Sequence, residues 1–457
     1  MNSANRGRNN QGWRKKIGQI SRSSLLRLHP IAPLLLLSCT PDEPAPTEPV
    51  AGVLPTHPCL DHTPLPPGGE LLFSRLDDAS SQTTTSLQSA VDLLGFSAFG
   101  PFTYDIDGWF VRYGTQDRGE SVEATGVVFI PKGVEGPLDV VVWLNPSGGA
   151  NNDCAPSGLG VAGNGLAMVF AARMGVAVIA PDYLGRTNGT PGTDDLHPYI
   201  VPEPVAVSTL DLVRAARHLA EQEDFELATD QIVLWGVSQG GHAALWTDLY
   251  QSTYAPEIGI SGVVAVVPPT DLGAIVERAG ASFNRASEAF PSVAVSMADW
   301  YGLDVDAVLQ PGVADVVREA MASSCEVLDP AGDLDDVTDL FTDAVRDGTL
   351  GADWTCAFDS NRVSTAHLTG SGAPILFPLG AEDNLVFSDI ARSEAEALCD
   401  AGARIELVEC AGLDHEDAAF STVFEQEQWV KDRFAGLPAL ETCALPGPTE
   451  CPPLLVE

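Results

Sequence analysis

Gly236-Val237-Ser238-Gln239-Gly240 sets a hydroxyl between two glycines. The pentapeptide directly follows an apolar run, 232–235, and directly precedes a helical pattern, 240–252. Gly-x-Ser-x-Gly is common by chance, but between a strand and a helix it predicts a sharp turn that lifts the Ser hydroxyl clear of its own helix. Glycines at the flanking positions avoid the steric clash of such a turn. The following helix aims its N-terminus at the hydroxyl, so the backbone N–H of Gln239 is placed to donate to a developing oxyanion. The chemistry this suits is nucleophilic attack on a carbonyl. An ordinary glycine-rich turn is the plainer alternative, and the additional Gly241 weighs against it.

A Ser hydroxyl is a weak nucleophile unless a base takes its proton. In this kind of turn the partners follow in the order Ser, acid, His. Three His follow Ser238: His242, His367 and His415. His242 sits one turn into the nucleophile's own helix and is expected to be structural. His367 precedes the strand that leads to the acid, which is the wrong order. His415 lies in a loop after the run 405–408 and before the final helical pattern, where the base belongs. For the acid, Gly380-Ala381-Glu382-Asp383-Asn384-Leu385-Val386 favours Asp383 over Glu382. Its expected role is to fix the tautomer of His415 and stabilise the imidazolium. Asp414 and Asp417 are sequence neighbours of His415 and poorly placed to reach its ring. The second oxyanion donor is expected from the loop Asn145-Pro146-Ser147-Gly148-Gly149. Pro146 has no N–H, which leaves Ser147 or Gly148, and Ser147 is the choice. The same loop lacks the Gly-x-x-x-x-Gly-Lys-Ser/Thr pattern of a phosphate cradle. Asp333, Asp335, Asp336 and Asp339 lack the glycine and terminal Glu of an EF-hand and read as a solvated acidic face. No metal or cofactor is expected.

The elements that must hold these residues are short apolar runs at 127–130, 140–144, 176–180, 232–235, 262–267, 374–379 and 405–408. They are nearly continuous and rich in β-branched residues, as in strands buried on both faces. Helical patterns at 163–174, 204–222, 387–401 and 417–434 alternate with them. Strand and helix in alternation predict an α/β fold with a mostly parallel sheet flanked by helices. The alternation breaks at about 270–370, a stretch of helices expected to form a cap inserted before the acid-bearing strand. Phe283, Phe290, Trp300, Tyr301, Phe341 and Trp354 fall in this stretch; most are expected to be cap core and some to line an acyl-binding wall. Residues 70–100 have an irregular apolar pattern that predicts no particular element.

The N-terminal residues read differently. Residues 1–38 carry Arg6, Arg8, Arg14, Lys15, Lys16, Arg22 and Arg27 and no acid, then the short apolar run 31–37. This is a secretory signal pattern, with an apolar run too short to span a bilayer. Leu36-Leu37-Ser38-Cys39 has the form of a bacterial lipobox, which predicts acylation of Cys39; plain secretion is the alternative. Residues 39–69 are Pro-rich and predict an extended tether, and 70–457 the folded domain. Eight further Cys remain, an even set that predicts disulfides in an exported chain. The net charge of −39 over 457 residues argues against nucleic acid as a partner.

Together these pieces resemble the secretory lipases of the α/β-hydrolase superfamily, of the fungal lipase-A type and its bacterial relatives. The resemblance spans about 120–435. It rests on Asp153-Cys154-Ala155-Pro156-Ser157, Ala180-Pro181-Asp182-Tyr183-Leu184-Gly185, His197-Pro198-Tyr199, Gln239-Gly240-Gly241-His242-Ala243, and the turns carrying Asp383 and His415. It implies ester hydrolysis, often of lipids, with 270–370 as a lid. One departure is Asn145-Pro146, where family members often carry His-Gly, which bears on the Ser147 assignment. Peptide cleavage or acyl transfer on the same fold, and a binding lipoprotein with an unused site, are the alternatives, since fold does not fix chemistry.

Overall fold

The computed structural model describes residues 52, 54, 57–189, 196–366, 368, 370–440 and 443–453. The signal pattern, Cys39, most of the tether and His367 lie outside these residues.

Alternate residues along the central strands face opposite sides of the sheet, and two cores result. In β4 (Leu138–Leu144), Val140, Val142 and Leu144 join one core while Val141 and Trp143 join the other. β6 (Leu227–Val237) divides in the same way, Ile232 and Leu234 against Val233 and Trp235. Strands buried on both faces need helices on both faces, and the chain supplies them.

In chain order the elements are β1 (Leu71–Leu76), α1 (Thr84–Leu93), β2 (Ile106–Asp117), β3 (Glu120–Pro131), β4, α2 (Val161–Met174), β5 (Ala177–Pro181), α3 (Pro202–Glu223), β6, α4 (Gln239–Tyr254) and β7 (Ile260–Val266). The helices α5 (Leu272–Ala281), α6 (Arg285–Tyr301), α7 (Val313–Ser323), α8 (Val337–Leu340), α9 (Asp343–Arg346) and α10 (Ala352–Ser360) follow without a strand. Then come β8 (Ile375–Gly380), α11 (Ser388–Asp400), β9 (Ile405–Cys410), α12 (His415–Ser421) and α13 (Val423–Phe434). The nine-stranded sheet has the order β1-β2-β3-β5-β4-β6-β7-β8-β9. Pairing is antiparallel from β1 to β5 and parallel from β5 to β9. α3 and α4 contribute to one face, α2 and α13 to the other.

The inserted helices α5–α10 build a third core around Phe290, Trp300, Phe341 and Trp354, all buried, and share it with Tyr199, Ile200, Leu385 and Phe387. Two disulfides fasten this insertion to the rest. Cys154–Cys325 joins the loop after β4 to the segment after α7, and Cys59–Cys356 joins the N-terminal strap to α10. Cys399–Cys443 and Cys410–Cys451 hold the segment after α13. That segment lies along β9, with Ala444 N–H donating to Ile405 O (2.8 Å) and Thr449 N–H to Glu409 O (2.8 Å). Among the described residues no helix is long and apolar enough to cross a membrane.

β1 and β2 are additions to the elements expected from sequence. The pattern 417–434 resolves into two helices that meet at Thr422. Asp336 caps α8 by accepting from Thr338 N–H (2.8 Å), so the acidic run is in part helix-capping.

Candidate active site

Ser238 joins β6 to α4 with φ 55° and ψ −115°, a backbone conformation that L-residues seldom adopt. Such strain persists only where the surroundings enforce it, and the flanking glycines show how. A Cβ on Gly236 would lie 2.0 Å from Gly240 O, and one on Gly240 would lie 1.9 Å from Leu144 O. Strand, helix and the end of β4 therefore meet with no room for a side chain. The turn is closed further by Ser238 N–H donating to Val266 O (2.8 Å). Ser238 itself is partly exposed.

Asp383 comes from the loop after β8, and His415, expected in a loop, opens α12 just after β9. His415 Nδ1 lies 2.7 Å from Asp383 Oδ2, with both residues buried. The other carboxylate oxygen of Asp383 accepts from Leu385 N–H (2.9 Å) and Val386 N–H (3.0 Å). The carboxylate is thus fixed on one side by backbone and presents its free oxygen to the ring. Bonded in this way, Nδ1 carries the proton and Nε2 is left with its lone pair. His415 Nε2 is buried and without a hydrogen-bond partner. His415 and Ser238 line the same cavity. Glu382 is exposed, and Asp414 caps α12 by accepting from Asp417 N–H (3.0 Å), so neither competes for the ring. His242 is fully buried with both ring nitrogens unpartnered, and burial pushes its pKa down to about 3.

Ser147, also partly exposed, lines the cavity with Ser238 and His415. Its hydroxyl lies 2.6 Å from Tyr199 Oη. Gln239 opens α4, where the first N–H groups of a helix have no intrahelical acceptor. Its side-chain Nε2 is hydrogen-bonded to His197 Nε2, and His197 Nδ1 in turn faces Leu184 O at 2.7 Å. His197 is therefore a neutral ring donating from Nδ1 and accepting at Nε2. Burial and the neighbouring Arg186 hold its pKa at about 3. His197 and Tyr199 were present in the His-Pro-Tyr motif, yet the sequence alone assigned them no role. The signal was their recurrence as a motif, whereas their use depends on contacts 42 and 52 residues distant.

Two cavities meet at Ser238. One, about 40 Å³, runs under the insertion and is lined by Leu272, Ile275, Phe290 and Val293. The other, about 220 Å³, runs past His415 between Leu166, Phe170 and Phe420. Leu328 and Leu385 border both. Phe290 is thus both insertion core and cavity wall, whereas Trp300, Tyr301, Phe341 and Trp354 line neither cavity.

The profile of the secretory lipases matches residues 157–442, more than half of the chain. The chain belongs to the secretory lipase family. Its architecture is that of the α/β-hydrolases, seen in solved structures of low sequence identity. A putative hydrolase of Legionella pneumophila superposes with a TM-score of 0.71 at 18% identity, covering 81% of this chain and 100% of that one. The rice cell wall degrading esterase LipA of Xanthomonas oryzae gives 0.65 at 20% identity, covering 81% and 98%. Candida antarctica lipase A in its closed state gives 0.65 at 17% identity, covering 84% and 86%. Comparison with curated proteins gave no match. The family makes this secretory lipase homologue a hydrolase of esters, and the four disulfides among the described residues suit an oxidising, exported setting.

Proposed function

We propose that this protein cleaves carboxylic esters through an acyl-enzyme, with Ser238 as nucleophile, His415 as general base and Asp383 as the acid that orients it. The observation that carries the reading is the His415–Asp383 contact of 2.7 Å with a bare Nε2 in the cavity of a strained, partly exposed Ser238. His415 takes the Ser238 proton as Oγ attacks the carbonyl carbon. The oxyanion so formed is held by the N–H of Gln239 and that of Ser147. The tetrahedral intermediate collapses, the ester C–O bond breaks, and His415 gives its proton to the leaving alcohol. Water, activated by the same ring, then releases the acid and restores Ser238. No step requires a metal or cofactor.

The Tyr199 contact to Ser147 and the His197 contact to Gln239 support the assignment of these two as oxyanion donors, because each pins a donor residue from the same segment. We further propose cleavage of the leader before Cys39 and acylation of that residue, anchoring the enzyme to a bacterial envelope through the Pro-rich residues before the strap. Residues 57–69, expected as tether, are instead fixed to the domain by Cys59–Cys356 and by Gly69 N–H donating to Gly114 O.

Hydrolysis of p-nitrophenyl esters by wild type and Ser238→Ala tests the mechanism. The variant is expected to lose about 10⁶ in kcat. Equal rates in the two proteins would dismiss Ser238 as nucleophile, and amide cleavage without ester cleavage would move the reading to a peptidase.

A further inference from the structure

The larger of the two cavities at Ser238 continues away from the inserted helices. Trp143, Pro146, Leu166 and Phe420 border it and also border a second chamber of about 230 Å³. Phe420 stands between the two, stacked on Phe96 of the second chamber at 5.5 Å. The second chamber ends near α1 at Leu94, which is half exposed. The two chambers share this wall, and a path from His415 to the surface, across the face of the sheet opposite α3 and α4, would open where Phe420 turns aside.

Its walls suit hydrocarbon. Phe170 stacks on Trp235 at 4.0 Å and meets Trp143 edge-on at 5.3 Å. The polar edges of both indoles are already engaged: Trp143 Nε1 donates to Asn145 Oδ1 (2.9 Å) and Trp235 Nε1 to Gln426 Oε1 (2.8 Å). Gln426 Nε2 is taken by Thr422 Oγ1 (2.7 Å). An apolar guest would leave these hydrogen bonds intact and strand no polar group.

Reaction geometry decides which arm of an ester enters. The leaving oxygen must come within hydrogen-bond reach of His415 Nε2 to be protonated. Its substituent therefore starts at the His415 wall. The path described above has that wall; the small cavity under the insertion touches Ser238 but not His415. We propose that the path binds the alcohol moiety of the substrate, and that this moiety is a medium to long hydrocarbon. The acyl group then occupies the cavity under the insertion, which at about 40 Å³ admits a short chain. This rests on the roles proposed for Ser238 and His415.

The test holds one arm constant and lengthens the other. Alkyl butyrates from ethyl to dodecyl are compared with ethyl esters of lengthening acids. Each methylene that enters the path is expected to raise kcat/KM about fourfold, from about 0.8 kcal/mol per buried CH₂. Gly165→Phe fills the second chamber from α2. A Cβ there meets only Val161 Cγ1, at an ordinary 3.8 Å, so the helix tolerates it. The variant should lose about tenfold or more on dodecyl butyrate and keep its rate on ethyl butyrate. Binding of 11-bromo-1-undecanol, read by quenching of tryptophan fluorescence, gives a readout without turnover. Saturable quenching in wild type and in Ser238→Ala, weakened by Gly165→Phe, supports the path. Rates that follow acyl length alone, or a Gly165→Phe defect confined to the acyl series, would overturn it. Should no ester be hydrolysed in a Ser238-dependent way, the proposed function fails. The bromoalcohol then judges the path by itself, and absence of saturable quenching overturns it.

Discussion

The side chains around Ser238 divide into those that could react and those that hold the reactive ones still. Asp383 is of the second kind, bound by two backbone N–H groups and His415. Asp383→Asn keeps the size and the backbone contacts but turns an N–H toward the ring and favours the wrong tautomer. Its kcat is expected to fall about 10⁴-fold with the thermal midpoint little changed; a loss under tenfold would remove Asp383 from the mechanism. His197 stays neutral through the working range, so it cannot supply the acid limb of a pH–rate profile. Folding leaves His197 and His242 unprotonated at pH values where the unfolded chain protonates them, because their pKa drops from 6.5 to about 3. The unfolded state then binds more protons, so stability is full above pH 6.5 and falls as pH drops toward 3. His242→Phe removes one of these groups and two unpartnered ring nitrogens. It should flatten the acid decline in a melting series between pH 6.5 and 4, and a variant as acid-sensitive as wild type would refute that account. The strained turn at Ser238 and the Asp383–His415 contact were legible because turn chemistry and chain order are local or sequential properties. The supports at His197 and Tyr199 were not, since their partners are set by how the segment after β5 folds back over the loop after β4.

At the scale of elements, the strands that read most clearly were those buried on both faces. Val140-Val141-Val142-Trp143-Leu144 announces itself by composition, as does Ile232-Val233-Leu234-Trp235. β2 did not, because it is only partly covered: Asp107, Arg112 and Gly114 interrupt the apolar signal, and its burial alternates unevenly. β1 is mostly uncovered, with Phe73 and Leu76 nearly half exposed, so pairing with β2 rather than burial defines it. The break at Thr422 was hidden because Ala418 and Ala419 before it and Glu425, Gln426 and Glu427 after it are good helix formers. The insertion is held to the helices after β8 and β9 by exposed ion pairs, Arg285 with Glu416 (2.5 Å) of α12 and Arg278 with Asp389 (2.8 Å) of α11. Exposed pairs contribute about 0–1 kcal/mol each. Arg285→Gln should therefore change the melting temperature by a few degrees at most, and a collapse of stability would mean that the pair does more than tether. A different device operates at the start of α3. Glu203 is buried, its carboxyl pushed up to about 8 by burial, with His62 Nε2 at 3.1 Å. Folded protein keeps Glu203 protonated where the unfolded chain ionises it, from about pH 4.5 to 8, so stability falls as pH rises through that window. Glu203→Gln is expected to raise the melting temperature at pH 8 and leave it unchanged at pH 4; equal gains at both would rule out titration as the cause.

For the molecule as a whole, the acidic composition spoke against nucleic acid and the even Cys set spoke to compartment, but pairing lay beyond sequence because eight Cys allow many combinations. The pairing has a division of labour. Two bridges fix the insertion, and two fix the segment after α13 against β9. Replacing Cys59 and Cys356 by Ala opens a closure of 297 residues and is expected to cost about 2–5 kcal/mol, read by denaturant titration. An unchanged midpoint would show the strap to be held by packing alone. The other two bridges matter for assembly. A parallel edge strand with free N–H and C=O groups is a template for joining another chain, and here residues 443–451 occupy that template with two β-bridges. Their pairing with β9 is short, two β-bridges with Cys443, Leu445 and Cys451 packed against the cores, and the two disulfides lock it in place. A chain kept reduced, or cut before residue 440, would present its sheet to its neighbours. Covering the β9 edge therefore has an order, with sulfur chemistry before concealment, and the reduced chain is expected to self-associate more than the oxidised one, as light scattering would read.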